Sequence, residues 1–181
     1  FDFQKTKMKQ LFFFFFFLSS MLATEQTSYD VYTYTEPANF LKEANIAGIV
    51  TYSHQTDSTY CVIALYENTA TKGTAQKDFD AAWKATTTRL KLNATAKKEP
   101  VKNANGWKMQ VGYATITFEG LPSVLYLNTI SGNGIAANVM YLTNSDSYSS
   151  VLEAFQSSLD VNKPLAKPNL NPSNSTNATE A

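Results

Sequence analysis

The chain has 181 residues with 15 basic and 15 acidic side chains, one histidine and one cysteine. That length suits a single domain with a substantial core. The even charge gives no electrostatic footprint for nucleic acid, and a lone cysteine excludes an internal disulfide. One histidine, one cysteine and scattered carboxylates make no metal-ligand spacing.

The N-terminal stretch carries the most specific signal. Lys5, Lys7 and Lys9 precede the apolar run Leu11 to Leu18, six of whose members are consecutive phenylalanines, and Ser19, Ser20, Met21, Leu22 and Ala23 follow. A basic head, a short apolar stretch and a small-residue exit are the layout of a secretory signal peptide. Leu11 to Ala23 is 13 residues, against roughly 20 for a bilayer crossing, so export with cleavage is expected and no stable membrane span remains. Met8 is the natural start of this leader, which makes residues 1–7 upstream sequence. The leader is expected at 8–23, cut after Ala23, with Ser20 as the alternative. No cysteine lies near either site, which excludes a lipoprotein anchor. Without residues 1–23 the chain keeps 12 basic and 14 acidic side chains, a net charge of −2. The expected destination is secreted or periplasmic.

Beyond the leader, residues 24–28 read as a loose end and Tyr29 to Thr35 as a first strand, closed by Glu36-Pro37. Ala38 to Asn45 is a connector with a possible helical turn. Ala47 to Ser53 and Ser58 to Tyr66 are apolar, β-branched runs around the turn Gln55-Thr56-Asp57-Ser58, which predicts a hairpin. Thr74 can cap a helix running to about Leu92. Phe79, Trp83, Thr86 and Leu90 fall on one helical face, and Asp78 near the start with Arg89 and Lys91 near the end suits the helix dipole. Asn93 to Ala104 is polar, and a short strand there can pair back through Asn105-Gly106.

The organising stretch is Asn105 to Thr143. Alternation from Trp107 to Phe118 predicts a strand half-exposed at its start and buried on both faces further on. Glu119-Gly120-Leu121-Pro122 supplies turn chemistry, with proline expected to stop the ladder. Ser123 to Ile130 and Ile135 to Thr143 are the next strands, joined by Ser131-Gly132-Asn133-Gly134. Short connections make this an antiparallel meander. Asn144-Ser145-Asp146 can cap a last helix over Ser147 to Leu159, whose Tyr148, Val151, Leu152, Phe155 and Leu159 share a face. The remainder, rich in Pro, Asn, Ser and Thr, is expected to be a disordered tail at 164–181. The sum is one α+β domain at 24–163: an antiparallel sheet of about six strands flanked by two main helices.

Three segments, KDFDAAWK (77–84), NGWKMQVGYATITFEG (105–120) and YSSVLEAFQSSLDVNK (148–163), resemble the PsbP-like family, in particular its exported bacterial members. The likeness runs from Tyr32 to Lys163 and its motifs are structural. It implies an αβα sandwich that works by binding, as an assembly or accessory factor, with no catalytic residues to carry over.

The chemistry-bearing residues point the same way. His54 has Asp57 and Ser58 near it in sequence, but in a turn and with no nucleophile elbow. Cys61, inside the apolar run Tyr60 to Leu65, reads as a buried small residue. Asp78 and Asp80 flank Phe79 on different sides of the helix and are no carboxylate pair. The turn at Ser131 to Gly134 lacks both a Rossmann strand and a Walker lysine, and reads as a hairpin. Lys97, Lys98 and Lys102 read as a solvated stretch, and Trp83 as a core anchor. Tyr29, Tyr32, Tyr34 and Tyr52 crowd the first strands and suit either a half-wet recognition surface or core-edge packing. No catalytic, cofactor-binding or metal-binding residue is assigned. The expected function is an exported, non-catalytic binding or accessory domain whose partner is another envelope protein, with no nucleic acid. The alternatives are an enzyme or small-ligand binder with an unfamiliar site, requiring His54 or Cys61 to be exposed beside carboxylates, and an envelope structural protein.

Overall fold

The computed structural model describes residues 25–162; the expected leader at 8–23 and the tail at 164–181 lie outside them. Three two-residue turns set the register of half the structure. Asn105–Gly106, Glu119–Gly120 and Asn133–Gly134 each carry successive positive φ angles, 50/82, 49/81 and 50/82 degrees. Positive φ at both central residues defines the I′ hairpin turn, whose twist matches that of the flanking strands. These turns join β7 (Lys102–Ala104), β8 (Trp107–Phe118), β9 (Leu121–Gly132) and β10 (Ile135–Thr143) as antiparallel neighbours. Pro122 does not stop the ladder as expected. It is the second residue of β9, opposite Thr117, where a strand tolerates a missing N–H.

The earlier hairpin is β4 (Ile49–Gln55) with β5 (Tyr60–Ala70). β10 pairs with β5 as well as β9, so the two hairpin systems fuse into one sheet. Its order is β3 (Leu41–Lys42), β4, β5, β10, β9, β8, β6 (Lys97–Lys98), with β7 also on β8. A second sheet sets β2 (Tyr32–Thr35) between β1 (Gln26–Tyr29) and β11 (Asp160–Val161). The expectation of about six strands is therefore too small: the main sheet has 8 strands and the second has 3. The reason is physical. β3, β6 and β11 are two residues long and show no period of their own, so only their tertiary neighbours make them strands. Likewise, the single strand expected over 29–35 is a hairpin that reaches back to Gln26, because Asp30 takes φ 52° and turns the chain.

α1 (Ala75–Arg89) starts where expected, with Thr74 Oγ1 accepting from the Lys77 N–H at 3.2 Å. Its Phe79 and Trp83 pack on one face of the main sheet against Ala64, Ala114, Leu125, Leu127, Met140 and Leu142. Phe79 lies directly over Gly112, where a Cβ would come within 2.4 Å of the ring. Trp83 also donates from Nε1 to Ala94 O at 2.8 Å, so it is the core anchor that its spacing predicts.

The other face of β4, β5 and β10 is covered by the small sheet and α2 (Ser149–Ser158), which follows a 3-10 turn at Asp146–Tyr148. Val50, Ile63, Leu65, Val139 and Tyr141 meet Tyr32, Tyr34, Phe155 and Val161 there. Cover on both faces explains why every residue of β10 is buried. Two polar fastenings hold the small sheet down. The Tyr32 hydroxyl lies 3.1 Å from Tyr66 O and 2.9 Å from Asn138 O, beside the register shift between β10 and β5, and shares its proton between these two carbonyls. Glu36 accepts from Lys42 Nζ at 2.6 Å and from the Tyr52 hydroxyl at 2.9 Å, while Tyr52 Oη is 3.1 Å from Tyr34 Oη. Lys42 above all holds the Glu36 carboxyl below its usual range.

Candidate functional site: a groove over the uncovered half of the sheet

The small sheet and α2 stop at β10. On that face β8 and β9 carry Met109, Val111, Tyr113, Val124, Tyr126 and Ile130, half-buried or exposed. The result is an open groove of about 900 Å³. Its floor runs across β8, β9 and β10, its wall is the turn at Ser145–Asp146 with the Leu152, Glu153 and Gln156 side of α2, and Glu99 and Lys102 close one end. Concave sites of this size suit small ligands.

Strand alternation decides what faces the groove. In the register of β8, β9 and β10, Tyr113 lies opposite Tyr126 and Tyr126 opposite Tyr141, so three tyrosines cross the sheet in one row on one face. The first two rings sit 5.6 Å apart, with Tyr126 at 38% exposed. Tyr141 is only 3% exposed, and its ring packs against Phe155 at 6.3 Å. Its hydroxyl is buried without a hydrogen-bond partner. Burial pushes this phenol far above its ordinary value, and the neighbouring Gln156 side chain offsets part of the rise. Asn128, 5% exposed, lines the floor beside it. An unsatisfied buried polar group in a native fold calls for an explanation.

The residues singled out by sequence lie elsewhere. His54 sits on β4 against Phe40 and Tyr148, at ring distances of 5.7 and 5.5 Å. Its Nδ1 is 3.1 Å from the Tyr148 hydroxyl, which also meets Thr59 Oγ1 at 3.0 Å. Cys61 is directly opposite His54 in the β4–β5 register, a juxtaposition the sequence did not reveal. The pair makes no reactive centre: Cys61 is fully buried, and burial pushes its thiol up to about 12, so it stays protonated. Asp57 and Ser58 remain in the turn, where the Ser58 carbonyl accepts from Asn144 Nδ2 at 3.0 Å. Asp78 is buried and accepts from Thr71 Oγ1 at 2.7 Å and from the Lys72 N–H, closing the loop before α1. Asp80 pairs with Lys98 on the other side. Lys102 reaches Glu99 at 3.7 Å. Tyr32, Tyr34 and Tyr52 are core residues, each at most 1% exposed, whereas Tyr126 of the meander is 38% exposed. The polar Asn128 inside the apolar run Val124 to Ile130 was the sequence signal for this floor.

Among the described residues no group of three or more His, Cys, Asp and Glu side chains could hold a metal ion. No helix among them is long and apolar enough to cross a membrane. No protein-family model matches the chain, and no curated protein matches it. Among solved structures, the chain is similar to a protein of Bacteroides thetaiotaomicron VPI-5482 solved at 1.50 Å resolution. The TM-score is 0.47 and the identity 12%, over 74% of this chain and 46% of that one. The chain thus spans about half the length of that structure.

Proposed function

We propose that this protein is an exported, non-catalytic binding domain, an accessory factor of the cell envelope, and that it binds through the groove over β8 and β9. The observation that carries this is the open, largely apolar floor that β8 and β9 present beyond the edge of α2, with Tyr126 standing exposed on it. A non-catalytic role is supported by the fate of the two reactive side chains. His54 is engaged by Tyr148 and Cys61 is a protonated core thiol, so neither reaches the groove as a base or nucleophile. The resemblance to PsbP-like proteins supports the accessory role and the finer reading of the fold as an αβα sandwich, with α1, the main sheet, and α2 beside the small sheet as its layers. Export rests on the leader at 8–23 and is checked by sequencing the N-terminus of the protein recovered outside the cytoplasm, which is expected to begin after Ala23 or Ser20.

The partner expected is another envelope protein. The test is affinity capture from envelope extract with the parent chain and with Tyr126→Ala, whose side chain is exposed enough to remove without unfolding. A protein enriched by the parent and lost with the variant supports the reading. Equal capture by both, or capture by neither, overturns the groove as a protein-binding surface.

A further inference from the structure

We infer that the protein carries a second site, on the opposite face of the main sheet, which takes a small organic carboxylate with a compact apolar body. It does not depend on the groove over β8 and β9. On this face α1 packs over β8, β9 and β10, and a cleft of about 410 Å³ runs along its flank from Asp78 to Arg89. That volume is in the range of small-ligand sites. Ile49, Tyr66 and Ala136 line the sheet side of the cleft, and Ala82 and Ala85 the helix side. The short alanine side chains keep the space open, and its apolar surface favours a body removed from water. Polar groups then select the head. The Arg89 guanidinium lies 5.0 Å from the centre of the Tyr66 ring, which holds it over the sheet. Among the described residues no carboxylate is within ion-pair distance of Arg89, or of Lys72 at the other end. Asn138, 7% exposed, also lines the cleft. Thr129 Oγ1 donates to its Oδ1 at 2.7 Å, which holds the oxygen end of the amide toward β9 and leaves Nδ2 on the β5 side. No acceptor among the described residues takes that donor. The two acids at the cleft are engaged elsewhere. Asp78 accepts from Thr71 Oγ1 and the Lys72 N–H, and Glu67 bears on Tyr29 of the small sheet, whose phenol burial and then this charge raise. A carboxylate therefore meets a guanidinium whose planar donors match its two oxygens, with the Asn138 amide as a further donor. A cationic head would face like charge, and a neutral one would leave Arg89 bare.

The proposal is tested with three probes that share one ring system and differ in head: 2-naphthoate, 2-naphthalenemethanol and 2-naphthylmethylammonium. Each is titrated into the purified protein at low salt, with binding read by calorimetry. 2-Naphthoate is expected to bind with saturation, the alcohol about five- to tenfold more weakly, and the ammonium not at all. Arg89→Gln should weaken 2-naphthoate by the same five- to tenfold, the loss of a charge-assisted pair at a part-open site, and leave the alcohol unchanged. Arg89→Lys should recover part of that loss. Ala85 is exposed on α1, and Ala85→Leu keeps a strong helix former there while filling the cleft one turn from Arg89. This variant should melt like the parent and bind neither the acid nor the alcohol. Equal affinity for acid and alcohol, 2-naphthoate binding indifferent to Arg89→Gln or to Ala85→Leu, or no saturable binding of 2-naphthoate overturns the inference. Tyr126→Ala, on the other face, should leave 2-naphthoate binding unchanged; loss of binding in that variant would move the ligand to the groove and overturn this site. Failure of the envelope capture with 2-naphthoate binding intact would instead sink the groove reading alone.

Discussion

Tyr32 and Tyr141 are both buried, at 1% and 3% exposed, and they differ in one respect only: the first hydroxyl is satisfied and the second is not. The same substitution at the two sites should therefore change stability in opposite directions. Tyr32→Phe removes the donor that serves Tyr66 O at 3.1 Å and Asn138 O at 2.9 Å. Buried acceptors left bare cost about 1–3 kcal/mol, so this variant should be less stable by that amount. Tyr141→Phe keeps the edge contact with Phe155 and deletes a hydroxyl whose desolvation is offset only in part, by the Gln156 side chain. Relief of about 1 kcal/mol follows, the low end because Gln156 already offsets part of the penalty. For a domain of this size each kcal/mol corresponds to about 3–5 °C in Tm. Urea unfolding followed by far-UV circular dichroism gives both values on one scale. A Tyr141→Phe protein destabilised as much as Tyr32→Phe would show that the Tyr141 hydroxyl is fully satisfied in the folded chain and would refute this reasoning.

Gly112→Ala would drive a Cβ to within 2.4 Å of the Phe79 ring; overpacking of this kind costs about 1–3 kcal/mol, and adding Phe79→Leu should recover part of it, whereas strict additivity of the two losses would show that the ring and glycine are independent. Cys61, with its thiol pushed up to about 12, should resist an aromatic disulfide reagent at about pH 8 and react only as the protein unfolds; prompt labelling of folded protein would refute its burial. Seven tyrosines (29, 32, 34, 52, 60, 66 and 141) have phenols raised above their ordinary value of 10.0, burial being the largest cause in each. A raised acid favours the folded chain fully below its unfolded value and loses that contribution as pH climbs from there toward the folded value. Stability should therefore hold to about pH 10 and then fall steeply, with tyrosinate absorbance rising in the same transition; gradual ionisation without unfolding would contradict it.

Most of the secondary structure was legible because its signals are local. Thr74 caps a helix whose Phe79–Trp83 stripe repeats at helical spacing, and Asn105–Gly106 and Asn133–Gly134 demand the left-handed φ values that fold the meander. What escaped was decided by distant residues. Lys97–Lys98 and Asp160–Val161 become strands only because Tyr113–Gly112 and Thr33–Tyr32 lie beside them. The groove escaped for the same reason. That Tyr126 stands exposed while Tyr141, its direct cross-strand partner, is buried depends on where α2 and the small sheet end, and no period in the sequence encodes that edge. The tyrosines of the first strands drew attention by their number, yet they serve the core, and Glu36 with Lys42 fastens them there.

The small sheet has one further consequence, for how the domain tolerates rewiring. β2 is flanked by β1 and β11, and the Asn162 N–H reaches Val31 O at 2.8 Å, so strands from opposite ends of the described chain run parallel on either side of a single ribbon. Two strand spacings and four residues of offset put Gln26 and Asn162 about 17 Å apart. A flexible bridge of roughly ten residues closes that gap. A circular permutant reopened in the exposed turn at Asp57–Ser58 should therefore keep this architecture, whereas trimming the chain before Asp160 would unzip the ribbon that roofs the core.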